Sequence, residues 1–307
     1  MKILFCAPDA KPEPWVDLLR SYLPAATIEA WTPGMAFKAD YAVVWSAPQR
    51  FIDEQPQLQV LFNLGAGVDA LRVLRLAPQT RVVRVEDAGM GAQMAEFVSH
   101  AVIRHFRELD AFESDTRAGV WKLRRPQSRA DFPVGIMGLG VLGARVAVAL
   151  QAFDFSVKGW SRTTKSLAGV QCFTGMNELP QFLSATRVLV CLLPLTDETE
   201  GIINRATLAQ LQPKAYVVNV ARGAHVVDAD LLAMMASGHV AGAALDVFRT
   251  EPLSTDHPFW QEPRITLTPH ISARTLREQT LAQIATKMQS LAHGRAVAGI
   301  VDFKRGY

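Results

Sequence analysis

Short apolar runs alternate with amphipathic stretches along nearly the whole chain. In the first hundred residues, 2–6, 41–45, 59–64 and 81–85 are apolar, β-branched or aromatic, with Gly, Pro, Asp or Gln at their edges. Runs of this kind predict strands. Between them, 12–22 and 68–76 read as helical segments. From 93 to 109, Met94, Phe97, Val98, Ala101, Val102 and Leu109 recur at three- and four-residue spacing, which predicts one long amphipathic helix. A polar, basic stretch at 121–129 follows. A second alternating series then has strands near 133–138, 156–160, 187–192, 215–220, 240–247 and 265–268. A last helical stretch, about 273–293, sets Leu276, Ile284, Met288 and Leu291 on one side.

Such βα alternation predicts mostly parallel sheets covered by helices. Two series in 307 residues suit two domains of roughly 150 residues each. The two long helices flank the second series, so the first domain is expected to be discontinuous. It would comprise 1–95 and 285–307, with 96–284 forming the second domain.

Composition narrows the function classes. Charged residues are nearly balanced, for a net of +3, too little to argue for nucleic acid or an anionic membrane. Cys6, Cys172 and Cys191 lack metal-ligand spacing, and no His/Cys/Asp/Glu set has it either. An odd number of cysteines, two of them inside apolar runs, suits a reducing cytoplasm. The N-terminal apolar run, interrupted by Pro8 and Asp9, is too short for a secretion signal. No run approaches the ~18 apolar residues of a membrane helix.

Gly138-Leu139-Gly140-Val141-Leu142-Gly143 spells G-x-G-x-x-G. The pattern alone is weak, but an apolar strand precedes it, a helical run from Ala144 to Leu150 follows, and another strand comes next. In that setting the first glycine makes the tight turn, the second admits a pyrophosphate, and the third lets helix pack on strand. The free N–H groups of the helix then face the phosphates. The bland alternative is a Gly-rich turn in an ordinary βα unit. An NAD-selecting site would place Asp or Glu at the end of the second strand. Here that strand ends in Ser161-Arg162-Thr163-Thr164-Lys165, without a carboxylate. Ser161, Arg162 and Thr163 can instead hold a 2′-phosphate, which favours NADP(H), with NAD(H) used less efficiently. A solvated basic turn is the alternative.

Three charged residues stand just past predicted strands: Arg222, Glu251 and His270. Ligands of open α/β sheets bind at such ends. Arg222 can hold a carboxylate bidentately, and an imidazole such as that of His270 exchanges protons near neutral pH. Each has a bland alternative. Arg222 could be a surface cation in an Arg-Gly turn, Glu251 a helix-start carboxylate, and His270 the cap of a helix starting near Ser272. The other histidines, His225 among them, read as packing, surface or turn residues. Lys122, Arg124, Arg125 and Arg129 read as a solvated loop, with a subunit interface or a phosphate contact as alternatives. Trp45 is either core or a wall of the substrate pocket, and its place before Ser46-Ala47-Pro48 favours the pocket.

These residues resemble a family. Gly138–Gly143, Leu193-Pro194-Leu195-Thr196-Asp197-Glu198-Thr199, Asn219-Val220-Ala221-Arg222-Gly223, Ala244-Leu245-Asp246-Val247-Phe248 with Glu251-Pro252-Leu253, and Thr268-Pro269-His270-Ile271-Ser272 resemble the D-isomer-specific 2-hydroxyacid dehydrogenases over nearly the whole chain. Val44-Trp45-Ser46-Ala47-Pro48, Asn63-Leu64-Gly65-Ala66-Gly67-Val68-Asp69 and Gly159-Trp160-Ser161-Arg162 are most similar to the glyoxylate/hydroxypyruvate reductase A branch. The resemblance implies two doubly wound parallel-sheet domains, Rossmann- and flavodoxin-like, with the active site in the cleft between them, and a homodimer through the cofactor domain. It implies that Arg222 binds the substrate carboxylate and polarises the carbonyl, that His270 is the acid/base, and that Glu251 pairs with His270. Leu193, Pro194, Val220 and Ala221 would border the cofactor, Asp246 would hold the nicotinamide carboxamide, and Trp45 with the Gly65-Ala66-Gly67 turn would contact the substrate. Met90-Gly91-Ala92-Gln93 departs from the Asn-containing run of many relatives. The expected activity is NADPH-dependent reduction of glyoxylate and hydroxypyruvate. A bulkier 2-oxo acid, or a non-catalytic NADP(H)-sensing protein on the same fold, are the alternatives.

Overall fold

A computed structural model describes residues 1–303. The first alternating series forms β1 (Lys2–Cys6), β2 (Thr27–Ala30), β3 (Tyr41–Val44), β4 (Val60–Asn63) and β5 (Arg81–Arg84). All pair parallel, in the order β2-β1-β3-β4-β5. The order doubles back between β1 and β3, as in flavodoxin-like sheets. α1 (Glu13–Tyr22), α2 (Gln49–Glu54) and α3 (Asp69–Arg72) connect the strands. β3 and β4 are buried along their whole length, as expected for parallel strands covered on both faces, and are apolar except for Asn63 at the end of β4.

The second series opens with α4 (Met90–Phe106) and α5 (Leu109–Arg117). It continues through β6 (Val134–Met137), α6 (Val141–Gln151), β7 (Val157–Ser161), β8 (Val170–Thr174), α7 (Gly175–Ser184), β9 (Val188–Cys191) and α8 (Arg205–Leu208). Then come β10 (Ala215–Asn219), α9 (Asp228–Ala236), β11 (Val240–Leu245), β12 (Ile265–Leu267) and α10 (Arg277–Ala292). Its seven strands run parallel in the order β12-β11-β10-β9-β6-β7-β8. Consecutive strands add outward in both directions from β6 and β9, so the topological switch point lies between those two strands.

The chain divides into two compact units, Met1–Met90 with the segment from Thr275 onward, and Gly91–Arg274. These joints fall before the expected 95/96 and 284/285, and α10 belongs whole to the first unit, where it packs on α1. Residues 304–307, assigned by expectation to the first domain, lie outside the described residues.

Several helices differ from expectation. The stretch 93–109 starts earlier, at Met90, and ends at Phe106. Glu108 takes a left-handed φ of 54° before α5 begins. The helix expected over 68–76 shrinks to α3, whose one buried residue is Leu71, while Val73 is exposed. The basic stretch 121–129 is not simply solvated. Arg124 pairs with Asp115 at 2.7 Å. Arg129 lies over the Phe106 and Phe155 rings and donates to the Phe153 carbonyl at 2.7 Å.

His105, on α4, stacks on Tyr216 of β10 with ring centroids 4.1 Å apart. Burial, and then the nearby Arg187 cation, push its pKa down to about 4. The unfolded chain takes up this proton near 6.5, so the neutral ring contributes stability above that pH and loses it as the pH falls towards 4. The loss from this residue between pH 7 and 5 is about 2 kcal/mol. His105→Phe keeps the stack and removes the proton. Urea unfolding of both proteins at the two pH values should therefore show a smaller acid loss in the variant, and equal losses would refute the assignment.

Candidate active site

The glycine turn sits at the carboxyl end of β6. Gly138 has φ +104°, and a side chain there would lie 2.6 Å from the Leu192 carbonyl oxygen. A side chain at Gly143 would overlap the Gly138 carbonyl. These two positions therefore need glycine for shape. Gly140 differs, because no heavy atom lies within 4 Å of where its side chain would be. It is also the N-cap of α6, and no side chain caps that end. Leu139 is buried, while Val141 and Leu142 begin the helix. Open space before uncapped helix N–H groups fits a pyrophosphate. β7 ends in buried Ser161, whose hydroxyl donates to the Thr163 carbonyl at 2.8 Å and shapes the turn. Arg162 and Thr163 beyond it are exposed. Leu193 and Pro194 follow β9, and Val220 and Ala221 follow β10. All these expected cofactor residues thus stand at the carboxyl edge of one sheet.

The charged residues stand on the same edge. Asn219, fully buried at the end of β10, accepts from the Ala221 N–H at 3.1 Å and donates to the Arg222 carbonyl at 2.9 Å. An Asn amide that mimics backbone in this way fixes a turn. Arg222 Nη1 donates to the Ala221 carbonyl at 2.6 Å. A side chain at Gly223 would overlap the backbone of Phe248 and Arg249. The missing Cβ is what lets the Arg222 turn back against the loop after β11. In that loop Glu251 Oε1 accepts from the Phe248 N–H at 2.9 Å, and Oε2 lies 2.8 Å from His270 Nδ1. Glu251 and His270 are thus hydrogen-bonded, and the turn that carries Arg222 packs against their loop through Gly223. The helix-related alternatives fail: α10 starts at Arg277, well past His270, and no helix starts at Glu251.

Asp246 stands one residue past β11 and is fully buried. Its carboxylate accepts from Thr268 Oγ1 at 2.6 Å and from the Ile271 and Ser272 N–H groups at 2.8 Å each. Its carbonyl accepts from the His270 N–H at 2.8 Å. These bonds hold His270 at a left-handed φ of 54°, a conformation that is costly without glycine. The exposed His270 ring is then presented with Nδ1 on Glu251 and Nε2 on the other side of the ring.

In the first unit the Trp45 indole lies across Gly65, where a side chain would come within 2.5 Å of its ring. Asn63 donates to the Gly65 and Gly67 carbonyls at 3.0 and 2.7 Å, and Arg84 reaches the Ala66 carbonyl at 3.4 Å. Trp45 is 43% exposed, which places it outside the core. Gln93, in the departing segment, exchanges two hydrogen bonds with the Arg274 backbone.

Sequence reading passed over the local roles of Asn219, Thr268, Gly223 and His225 in the second unit and of Asn63 in the first. The two asparagines could have been found as amides placed where a strand gives way to a glycine-containing turn.

A parallel sheet with a glycine turn at its switch point, and an acid–imidazole pair on the same edge, defines a dinucleotide-binding oxidoreductase fold. The chain belongs to the D-isomer specific 2-hydroxyacid dehydrogenases, whose NAD binding domain matches residues 99–272. It is 44% identical to glyoxylate/hydroxypyruvate reductase A of Yersinia enterocolitica over the whole of both chains. A D-isomer specific 2-hydroxyacid dehydrogenase from Xanthobacter autotrophicus Py2, solved with NADPH and MES, superposes with a TM-score of 0.94 at 38% identity, covering 100% of this chain and 99% of that one. An NADPH-dependent glyoxylate/hydroxypyruvate reductase from Sinorhizobium meliloti, solved with NADP and sulfate, gives 0.93 at 33% identity with the same coverage.

Proposed function

We propose that this protein reduces short 2-oxo acids with NADPH, taking glyoxylate to glycolate and hydroxypyruvate to D-glycerate. The observation that carries the reading is the 2.8 Å His270–Glu251 pair, on the sheet edge that also bears Arg222 and the glycine turn. The relatives named as glyoxylate/hydroxypyruvate reductases support the substrate class. The absence of a carboxylate after β7, together with exposed Arg162, supports NADPH over NADH.

NADPH, when bound, supplies the hydride to the carbonyl carbon. Arg222 binds the substrate carboxylate and stabilises the negative charge that grows on the carbonyl oxygen. His270 delivers the proton from Nε2 to that oxygen, and Glu251 orients the ring through Nδ1. Asp246, expected as a nicotinamide contact, also acts through the backbone around His270. Trp45, Gly65, Ala66 and Gly67 of the first unit are assigned as substrate contacts on the strength of the family resemblance. Free Cys6, Cys172 and Cys191 suit a cytoplasmic enzyme. No described helix is long and apolar enough to cross a membrane. The protein acts as a homodimer through the second unit, on the strength of the family resemblance.

The test is oxidation of NADPH against NADH with glyoxylate and hydroxypyruvate, for the wild type and Arg162→Asp. Loss of charge-assisted bonds worth about 1.5–3 kcal/mol should cut kcat/KM with NADPH by ten- to roughly a hundred-and-fifty-fold and spare NADH. Faster wild-type turnover with NADH would reject the 2′-phosphate reading. No turnover with either donor would reject the reaction and return attention to bulkier acids and then to a sensing protein.

A further inference from the structure

His225 is absent from the mechanism, yet it is fully buried beneath it. It ends the short helical turn Gly223–His225 that follows Arg222. Its Nδ1 lies 2.9 Å from the Arg222 carbonyl oxygen, and its Nε2 lies 3.3 Å from the Pro194 carbonyl oxygen. The first contact holds the turn that carries the carboxylate anchor. The second reaches the loop after β9, which borders the cofactor. Backbone pairing reinforces this link: Gly201 N–H donates to the Ala224 carbonyl and Ile203 N–H to the His225 carbonyl, each at 2.9 Å. Thr199 Oγ1 donates to the same Pro194 oxygen at 2.7 Å, so that carbonyl is fixed from two sides.

We propose that His225 is a positioning residue that clamps the Arg222 turn to the Leu193–Pro194 loop, so that substrate and cofactor each find their side of the site already set. The proposal rests on the reading of Arg222 as the carboxylate anchor. The Arg222 N–H also lies 3.2 Å from Nδ1, so a neutral ring protonated at Nε2 accepts from the Arg222 turn and donates to Pro194, holding both loops at once. Burial alone would lower the ring's pKa, but the Cys191 sulfur and the two carbonyls raise it, to about 9. A clamp of this kind makes binding on one side depend on geometry on the other, which is coupling through shared order of the two loops.

Three variants separate the two contacts. His225→Phe fills the volume and removes both. His225→Asn places a donor near the Nδ1 position only, and His225→Gln near the Nε2 position only. NADPH affinity is read from quenching of tryptophan fluorescence, and oxalate serves as a two-carbon dianion in place of the 2-oxo acid, with and without NADP+. These binding measurements need no turnover, so a wild type that binds NADPH but reduces no glyoxylate would defeat the proposed function and leave this test intact. For His225→Phe we expect at least fivefold weaker NADPH binding and a tenfold higher KM for glyoxylate, with kcat falling less. His225→Asn should recover the oxalate and glyoxylate affinity but not that for NADPH, and His225→Gln the reverse. Should the Phe variant not fold, the Asn and Gln pair carries the same comparison. Variants that melt at lower temperature but keep all binding constants within twofold of wild type would reduce His225 to packing and overturn the proposal. So would equal losses on both sides in the Asn and Gln variants.

Discussion

His270→Asn should lower kcat for glyoxylate reduction by about 10²–10⁴-fold, the range a positioned acid contributes. Asparagine keeps an N–H where Nδ1 meets Glu251 Oε2, so the local hydrogen bond and the fold should survive. What is lost is the proton carried by Nε2. NADPH affinity should remain near wild type, because the glycine turn and Arg162 lie in other loops. The combination separates a proton donor from a cofactor contact. A kcat within tenfold of wild type would mean that the proton comes from elsewhere, and His270 would lose its role. Glu251→Gln should fall between the two proteins, since it can still orient the ring but turns the charge-assisted contact at Nδ1 into a neutral one.

His270 stood out as a candidate because strand-end placement, residue type and the neighbouring Thr-Pro-His-Ile-Ser run coincided. What the sequence did not show was how the residue is held. Asp246 was expected as a cofactor contact, and three of its acceptor positions bind Thr268, Ile271 and Ser272, the residues around His270. No spacing rule links 246 to 268–272, because the link is made by the pairing of β11 with β12. His225 was passed over for a similar reason. In sequence it is a polar residue in a turn, and its burial against Pro194 depends on two loops meeting.

The legible part of the fold is its centre. β3, β4, β6, β9 and β10 are buried throughout and read as continuous apolar runs. β2 and β8 were missed. Each lies at a sheet edge and pairs with one neighbour, so Thr27-Ile28-Glu29-Ala30 and Val170-Gln171-Cys172-Phe173-Thr174 need only partial burial. α7 was missed because Pro180 lies inside it, where a proline ordinarily ends a helix. The glycine turn was legible in full, since each required element stands next to it in the chain.

Arg222→Lys should lower kcat/KM for glyoxylate by about 10²-fold while leaving NADPH affinity near wild type. The substitution keeps the charge, so the loss measures geometry. A guanidinium presents five N–H donors in a rigid fork, and one of Arg222's is held on the Ala221 carbonyl at 2.6 Å. That bond sets the plane in which the fork meets a carboxylate. An ammonium has three donors on a flexible stem and no plane to set. Losing one charge-assisted bond costs about 1.5–3 kcal/mol, or ten- to roughly a hundred-and-fifty-fold. The loss should appear mostly in KM if Arg222 only anchors the carboxylate. It should appear in kcat as well if the guanidinium also stabilises the developing alkoxide, because only interactions stronger in the transition state raise kcat. Arg222→Ala should lose more, and added guanidinium ion should restore part of its activity. A lysine variant within threefold of wild type, or an alanine variant indifferent to guanidinium, would move the carboxylate anchor away from Arg222. The Arg-Gly pair would then be explained by the backbone contact at Phe248 alone.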